Sequence, residues 1–349
     1  MVLDNIQKRA VETNKKEVLV VAGPGSGKTR VIVERLKFLL DNGVDPSGIY
    51  AITYTNTAAQ EMRNRLNNSD VFIGTIHSLA NRILLINGID TTNILEEEQF
   101  DELFELMKDR DIAIPKITHL LVDEFQDICD NEYEFMIETL EPKAYFLVGD
   151  PCQSIYSFKG GNYKHFIHLM ENPFVYTYEL NNNYRCGKNI IEYSKKFLNE
   201  LYQSSIDSVC KSNLEGVVIE EALDLDLILD YLKDEDYRDW FILCRKNSEV
   251  ESILNFLQKN DIPCINFRKS ELTLEELNKV IDDNLVKVLT IHSAKGLESK
   301  NVMVIGGINW NQEEIRICYV AATRAKEKLV WFNGKIKPKK INYNMTNWN

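Results

Sequence analysis

The chain has 349 residues, 44% of them hydrophobic, and a formal net charge of −12. This length is more than one ordinary hydrophobic core holds, so it predicts two domains. The negative charge argues against nucleic-acid binding through the overall field of the protein and restricts any such site to a local groove. Seven cysteines without a Cys-x-x-Cys pair predict reduced thiols in a cytoplasmic protein. No apolar run reaches the roughly 18–20 residues of a membrane span, so no membrane contact is expected.

The first motif follows a predicted strand over residues 18–21. A glycine-rich loop and a helix predicted over 31–40 come next, which is the order typical of a phosphate-binding P-loop. Backbone N–H groups of such a loop and the helix N-terminus bind phosphate oxygens. Lys28 is expected to contact the β- and γ-phosphates, and Thr29 to coordinate Mg²⁺. The motif consists of Ala22, Gly23, Pro24, Gly25, Ser26, Gly27, Lys28, Thr29 and Arg30.

Gln7 lies in a short helix predicted near the start of the chain, with Asp4 or Asn5 as its cap. Its amide can donate and accept a hydrogen bond with one edge of adenine. Taken alone, a surface glutamine explains this residue as well.

Polar side chains follow two further predicted strands, at residues 49–54 and 71–74. Thr55 and Asn56 are able to contact a sugar-phosphate backbone, and Tyr54 is able to stack on a base. Capping of the next helix is the alternative for Thr55 and Asn56. His77 follows the second strand in the same way, and a structural histidine remains open there.

An apolar strand before residue 123 runs directly into Asp123 and Glu124. After a P-loop, this pattern predicts that Asp123 lies in the outer coordination shell of Mg²⁺. Glu124 is then placed to orient the attacking water and accept its proton. Two capping carboxylates are the alternative.

A strand predicted over 145–150 leads into a segment with Gln153, Tyr156, Phe158 and Lys159. Gln153 is able to bond the γ-phosphate or its water. Two aromatic faces and a cation within four residues suit single-stranded nucleic acid, where bases stack and phosphates pair with lysine. A turn with buried aromatic side chains is the alternative.

Together these motifs resemble those of superfamily 1 DNA helicases of the UvrD/Rep/PcrA type. The resemblance implies an α/β fold of two tandem RecA-like P-loop NTPase domains, each a mostly parallel sheet flanked by helices. The expected domains are 1–174 and 175–333, with a flexible basic, asparagine-rich tail at 334–349. The matching stretches follow the family's order over nearly the whole chain: 22–30, 51–65, 74–84, 120–127, 148–161, 180–191, 288–298 and 319–328.

The resemblance also implies how ATP is held. Gln7 would bond adenine, Tyr184 would stack on it with Arg30 opposite, and Glu298 would bond the ribose. Arg185 would reach the γ-phosphate. Arg324 resembles an arginine finger, on a helix predicted over 316–328. The implied catalytic residues are Lys28, Glu124, Gln153, Arg185 and Arg324.

A single DNA strand would contact both domains, because the Thr-x-His-Ser sequence at 290–293 repeats the strand-end chemistry of the first domain. Phe158 and Lys159 replace the family's usual Trp and Arg, so stacking and phosphate pairing are expected to be weaker. The implied DNA-binding residues are Tyr54, Thr55, Asn56, His77, Tyr156, Phe158, Lys159, Thr290, His292 and Ser293.

The implied function is an ATP- and Mg²⁺-dependent single-stranded DNA translocase or helicase of 3′→5′ polarity, acting on single strands or tailed duplexes. Residues 85–119 and 265–287 are too short to hold the two accessory domains usual in the family. Such minimal chains resemble phage helicases and helicase-like subunits of bacterial antiviral systems such as Gabija. The alternative function is therefore a DNA-stimulated ATPase that regulates a protein partner such as a nuclease; a replication or repair factor is a further possible partner.

Overall fold

The structure is a computed structural model, and it describes residues 2–97, 99–108, 112–198, 208–267, 273–308 and 311–334. The side chain of Lys159 lies outside the described residues, and so does the tail from residue 335 onward with its four lysines. The expected DNA contact of Lys159 and the expected flexibility of the tail stay predictions. Within the described ranges, no helix combines the length and apolar character that a membrane span requires.

The first lobe is built on a six-stranded parallel sheet in the order β3-β2-β4-β5-β1-β6. Residues Val18 to Ala22 of β1 are all buried, because helices cover both faces of the sheet. The strands are β1 (Glu17–Ala22), β2 (Ile49–Ile52), β3 (Phe72–Gly74), β4 (His119–Val122), β5 (Tyr145–Gly149) and β6 (Tyr176–Leu180).

The helices of this lobe pack their apolar sides onto the sheet and form two core clusters, one on each face. They are α1 (Asn5–Val11), α2 (Lys28–Asp41), α3 (Asn56–Leu66), α4 (Ile76–Ile86), α5 (Thr92–Glu96), α6 (Asp101–Lys108), α7 (Asp130–Glu134) and α8 (Lys164–Glu171).

The second lobe repeats this plan with a six-stranded parallel sheet in the order β11-β12-β10-β13-β14-β9. Between the lobes, β7 (Asn182–Asn183) pairs with β8 (Val209–Cys210). The strands of the sheet are β9 (Val217–Ala222), β10 (Trp240–Cys244), β11 (Cys264–Asn266), β12 (Val286–Thr290), β13 (Ser299–Ile305) and β14 (Ala325–Asn333).

The helices of the second lobe again cover both faces of the sheet. They are α9 (Lys188–Leu198), α10 (Leu225–Leu232), α11 (Asn247–Lys259), α12 (Leu274–Asp282) and α13 (Gln312–Ala322). Two mostly parallel α/β lobes are therefore present, which confirms the fold class predicted from the sequence.

Two details differ from the sequence-based expectation. Strand β6 pairs in parallel with β1, so the first sheet continues past the domain boundary expected at 174. The helix predicted over 316–328 is wrong in its second half, because α13 ends at Ala322 and β14 begins at Ala325. Arg324 therefore lies in the turn between helix and strand, where its position is fixed by both elements.

The lobes share a packed interface. Cys152 and Ile155, from the loop after β5, belong to the same core cluster as Tyr319 and Cys186 of the second lobe. Ile155 is fully buried there. The loop that carries Gln153 thus forms part of the second lobe's core as well as the end of the first sheet.

Candidate nucleotide site and nucleic-acid groove

The loop after β1 has the backbone geometry that a phosphate cradle requires. Gly25 and Gly27 have φ values of +66° and +83°, in the left-handed region that glycine favours. A Cβ atom on Gly25 would lie 2.7 Å from Cβ of Arg185. Glycine is therefore needed at this position both for the turn and for the close approach of the second lobe.

Lys28 and Thr29 open α2 beside the end of β4. Lys28 Nζ donates to the carbonyl oxygen of Ala22 at 3.2 Å, and Thr29 Oγ1 donates to Asp123 Oδ2 at 3.3 Å. A hydroxyl and a carboxylate next to a phosphate cradle are the hard oxygen donors that Mg²⁺ takes together with nucleotide phosphates. The residues present thus fit both Mg²⁺ and a triphosphate.

Glu124 follows Asp123 with a φ of +54°, an uncommon conformation for a residue with a side chain. Burial alone would raise its pKa, but Lys28, Lys295 and a hydrogen bond from Gln126 together lower it. The pKa of Asp123 is raised, first by burial and then by the neighbouring charge of Glu124. Of the two carboxylates, Glu124 is thus the one whose pKa its neighbours lower, which suits a proton acceptor.

Gln153 is buried and held at both ends of its amide. Its Nε2 donates to Asp150 Oδ2 at 2.7 Å, and its Oε1 accepts from Arg324 Nη2 at 3.1 Å. Gln153 therefore connects the end of the first sheet directly to the second lobe.

Arg324 and Arg185, both from the second lobe, lie next to the first lobe. Arg324 is 2% exposed and also donates to the carbonyl oxygens of Val320 and Leu297. Burial lowers its pKa to about 10, which leaves it cationic at neutral pH. Arg185 lies against the P-loop at Gly25 and donates to Glu298 Oε2 at 3.1 Å. The roles predicted for both arginines at the nucleotide remain predictions; the structure shows Arg324 bonded to Gln153 of the first lobe and Arg185 next to the P-loop.

The far end of the cleft is formed by α1 and the segment after β6. Gln7 Nε2 donates to the carbonyl oxygen of Ser26 at 2.8 Å, while its Oε1 accepts from the backbone of Asp4 at 3.0 Å. Tyr184 donates from its hydroxyl to Asp4 Oδ2 at 2.6 Å. The charge of Arg30 opposes the rise in the pKa of Tyr184 that burial and Asp4 cause, so Arg30 lies on this side of the cleft.

Sequence reasoning missed Asn183, which fastens the second lobe to the P-loop. Asn183 is 2% exposed, and its Nδ2 donates to the carbonyl oxygen of Pro24 at 2.7 Å. Its Oδ1 accepts from the backbone N–H groups of Arg185 and Cys186, both at 2.9 Å. The only signal in the sequence was its place next to Tyr184 and Arg185.

A groove of about 990 Å³ opens beside the nucleotide site and is lined by both lobes. Tyr54 stacks on Tyr156 with ring centroids 5.1 Å apart and planes 10° apart. Phe158 is 63% exposed and meets the ring of His292 edge-on at 5.3 Å. These rings present faces and edges to the groove from the first lobe, with His292 beneath them from the second.

The hydroxyl groups at the strand ends already have local hydrogen bonds. Thr55 Oγ1 accepts from the backbone of Ala58 at 3.1 Å and so caps α3, which is the alternative that the sequence left open. Thr290 Oγ1 lies 3.0 Å from Ser293 Oγ and accepts from its backbone. Asn56 is exposed at the start of α3 and lines the groove.

His77 packs against two aromatic rings, those of Phe100 and Phe104, with centroids 5.1 and 5.5 Å away. Burial lowers its pKa, although Glu132 at 3.8 Å opposes this. His77 still lines the groove, so the structure gives it both a packing role and access to a ligand. In the part of the chain that is described, Nε2 of His292 is buried without a hydrogen-bond partner.

The fold and the site together define a protein with a P-loop nucleotide site at the junction of two RecA-like lobes. Comparison with protein families matches residues 7–159 to a family described as AAA domain. Residues 178–272 and 265–333 match the UvrD-like helicase C-terminal domain.

Among curated proteins, the chain is 26% identical to ATP-dependent DNA helicase PcrA of Leuconostoc citreum over 75% of this chain and 49% of the relative. It is 25% identical to ATP-dependent DNA helicase Rep of Escherichia coli over 74% of this chain and 54% of the relative. Gabija protein GajB of Bacillus cereus is 25% identical over 90% of this chain and 92% of the relative. The chain thus spans about half the length of the PcrA and Rep relatives and nearly all of GajB. It belongs to the UvrD-like superfamily 1 helicases.

Proposed function

We propose that the chain hydrolyses ATP between its lobes and uses this cycle to move along single-stranded DNA. The observation that supports this best is the convergence of Arg185 and Arg324 on the P-loop and Gln153. Cations supplied by one lobe to a phosphate site on the other make the preferred arrangement of the lobes depend on the nucleotide.

In this proposal the P-loop backbone and Lys28 bind the phosphates. Thr29 and Asp123 would hold Mg²⁺, which would neutralise negative charge on the phosphates when bound. Glu124 accepts the proton of the attacking water, since Lys28 and Lys295 favour its ionised form. Arg185 and Arg324 stabilise the charge that develops on the transferred phosphoryl group.

Movement follows from the same geometry. Closure of the cleft is favoured only while a γ-phosphate is present to bind both arginines. The groove is lined by both lobes, so opening and closing changes the distance between its two halves. A strand held alternately by each half would advance, and the family resemblance implies 3′→5′ polarity.

ATPase rates with and without single-stranded DNA test this proposal. Wild-type protein should hydrolyse ATP faster with DNA, and Glu124→Gln should still bind ATP while turnover falls by about 10²–10⁴-fold. Glu251→Gln, an exposed change on α11, is the matched control and should retain the wild-type rate. Rapid ATP turnover by Glu124→Gln would refute the assignment of Glu124 as the base. A wild-type ATPase rate that is the same with and without DNA would refute movement along DNA.

A second candidate is a DNA-stimulated ATPase that switches a partner nuclease without separating strands itself. The similarity to Gabija protein GajB supports it, because the match spans nearly the full length of both chains. A duplex with a single-stranded tail distinguishes the two. Strand separation by the isolated chain favours the helicase, whereas stimulated hydrolysis without separation favours the regulatory subunit.

A further inference from the structure

Lys295 crosses the interface between the lobes. It follows β12 in the second lobe, yet its side chain is only 6% exposed and forms an ion pair with Asp127 of the first lobe. Lys295 Nζ also donates to the carbonyl oxygen of Gln153 at 2.8 Å. One ammonium group from the second lobe is thus bonded to two loops that carry proposed hydrolytic residues.

The same ammonium group reaches the aromatic side of the groove. Lys295 Nζ lies 5.0 Å from the centroid of the Tyr156 ring, which itself stacks on Tyr54. Tyr156 donates from its hydroxyl to the carbonyl oxygen of His292 at 3.1 Å, within the loop that carries Lys295. Lys295, Tyr156, Glu124 and Asp127 all line one continuous cavity.

The ion pair is not arranged for maximal stability. Asp127 Oδ1 is buried without a hydrogen-bond partner in the part of the chain that is described. Buried ion pairs that are incompletely satisfied stabilise a fold no better than apolar side chains of similar volume. The charges at this place therefore call for a role other than holding the lobes together.

We propose that Lys295 is a positioning residue that couples occupation of the groove to hydrolysis, an inference that rests on the proposed function. A base stacked against Tyr54 and Tyr156 displaces the Tyr156 ring and the loop bonded to it. Lys295 moves with that loop and changes its distance to Glu124, Asp127 and the Gln153 carbonyl. Charge interactions between buried groups depend steeply on such distances.

The position of Lys295 supports this path. Lys28 and Lys295 both lie close enough to Glu124 for their charges to interact with its carboxylate. Lys28 belongs to the P-loop and is fixed to its own lobe, whereas Lys295 belongs to the other lobe. Of these two cations, Lys295 is the one whose distance from Glu124 changes when the lobes move.

The test measures the ratio of ATPase rates with saturating oligothymidylate to rates without it. Lys295→Met should lower this ratio to about 1, because the coupling free energy between groove and cleft is lost. The double variant Lys295→Met with Asp127→Asn removes both charges, so no carboxylate is left buried without its partner. It should show the same loss of stimulation.

Lys300→Met is the matched control, since Lys300 forms an exposed pair with Asp239 at 2.6 Å on the second lobe. It should keep the wild-type ratio. Binding of a fluorescent ATP analogue and thermal unfolding show whether each variant is folded. If Lys295→Met does not fold, the double variant provides the test. Wild-type stimulation in the double variant would overturn the role of Lys295 and leave the proposed function standing. Absence of stimulation in the wild type would instead refute the proposed function, and this inference with it.

Discussion

The nucleotide cleft and the adjoining groove are built in opposite ways. In the cleft, Gln153, Asn183 and Arg324 are each at most 3% exposed and have hydrogen bonds to defined partners. In the groove, Phe158 and Tyr54 are 63% and 37% exposed. The hydroxyl of Thr55 caps a helix there, and that of Thr290 bonds Ser293.

This difference shows what each region is able to recognise. Fixed, buried donors and acceptors select one ligand by geometry, as a triphosphate site must. Exposed aromatic rings stack on the face of any base, so binding by them does not depend on the nucleotide sequence. Substitutions in the cleft should accordingly alter chemistry strongly, and substitutions in the groove should alter affinity moderately.

Arg324→Ala should give the largest effect. An arginine in this role contributes about 10³–10⁵ to turnover, because its charge is supplied where the phosphoryl group becomes more negative. Steady-state ATPase rates measure the loss. Arg238→Ala is the matched control, since Arg238 forms an exposed pair with Asp236 on the same lobe. A loss of less than tenfold would mean that Arg324 does not take part in the chemistry. Substitutions in the cleft and in the groove would then have effects of similar size.

Gly25→Ala should come second. An added Cβ would lie 2.8 Å from Asn183 Oδ1 and still closer to Arg185, so the loop and the second lobe must separate. ATP affinity should fall on the order of tenfold. Gly43→Ala shares the positive φ, +76°, but no described residue lies within 4 Å of the new atom, so it should keep the wild-type ATP affinity. Wild-type ATP affinity in Gly25→Ala would contradict the need for close approach of the second lobe at this position.

Phe158→Ala should weaken binding of single-stranded DNA by about 1–3 kcal/mol, since one exposed stacking face is lost. Fluorescence anisotropy with a labelled oligonucleotide measures it. Phe174→Ala is the control, because Phe174 is 84% exposed but lies outside the groove. DNA-free ATPase rates should not change in either variant. Unchanged DNA affinity in Phe158→Ala would remove this ring from the DNA path.

The smallest expected effect is a change in stability at Lys287, which is bonded to the end of α12. Its ammonium group donates to the carbonyl oxygens of Ile281 and Asp283 at 2.9 and 2.8 Å and so fixes the C-terminal end of α12. The first residues of α12 line the groove. Burial lowers the pKa of Lys287 to about 8.

Between that value and the ordinary lysine pKa of 10.5, the unfolded chain binds more protons than the folded one. The Lys287 contribution to the free energy of unfolding therefore rises with pH in this window, by at most about 1.4 kcal/mol per pH unit. Urea unfolding of wild type and of Lys287→Met at several pH values across the window gives the difference between their free energies of unfolding. Buried tyrosines and cysteines contribute equally to both proteins, so their titration cancels in this difference. A difference that does not change with pH would contradict the lowered pKa.

The sequence predicted the cleft better than the groove for a physical reason. Lys28, Thr29, Asp123 and Glu124 follow strands whose apolar runs are unmistakable, and parallel strands bring their ends together. The two-lobed α/β fold follows from the same alternation of strands and helices. Local pattern is sufficient for these features because neighbours in the chain determine them.

The remainder depends on how the lobes dock. Nothing near Asn183 or Lys295 in the sequence indicates that their partners are Pro24 and Asp127, which lie far away in the chain. Thr55 shows a second limit, since a hydroxyl at a strand end serves capping and ligand binding equally well by pattern. The helix assigned around Arg324 failed because a buried β14 directly after α13 has the same apolar content as a longer helix.

The attachment of Asn183 and Tyr184 to the phosphate loop has a mechanical consequence. Hydrogen bonds from both residues hold the second lobe at Pro24 and Gly25, next to the place where the phosphates would bind. If the second lobe turns about this attachment, its residues are displaced in proportion to their distance from Pro24 and Gly25. A small adjustment around a triphosphate would then produce a larger displacement at the groove, where His292 of the second lobe meets Phe158 of the first.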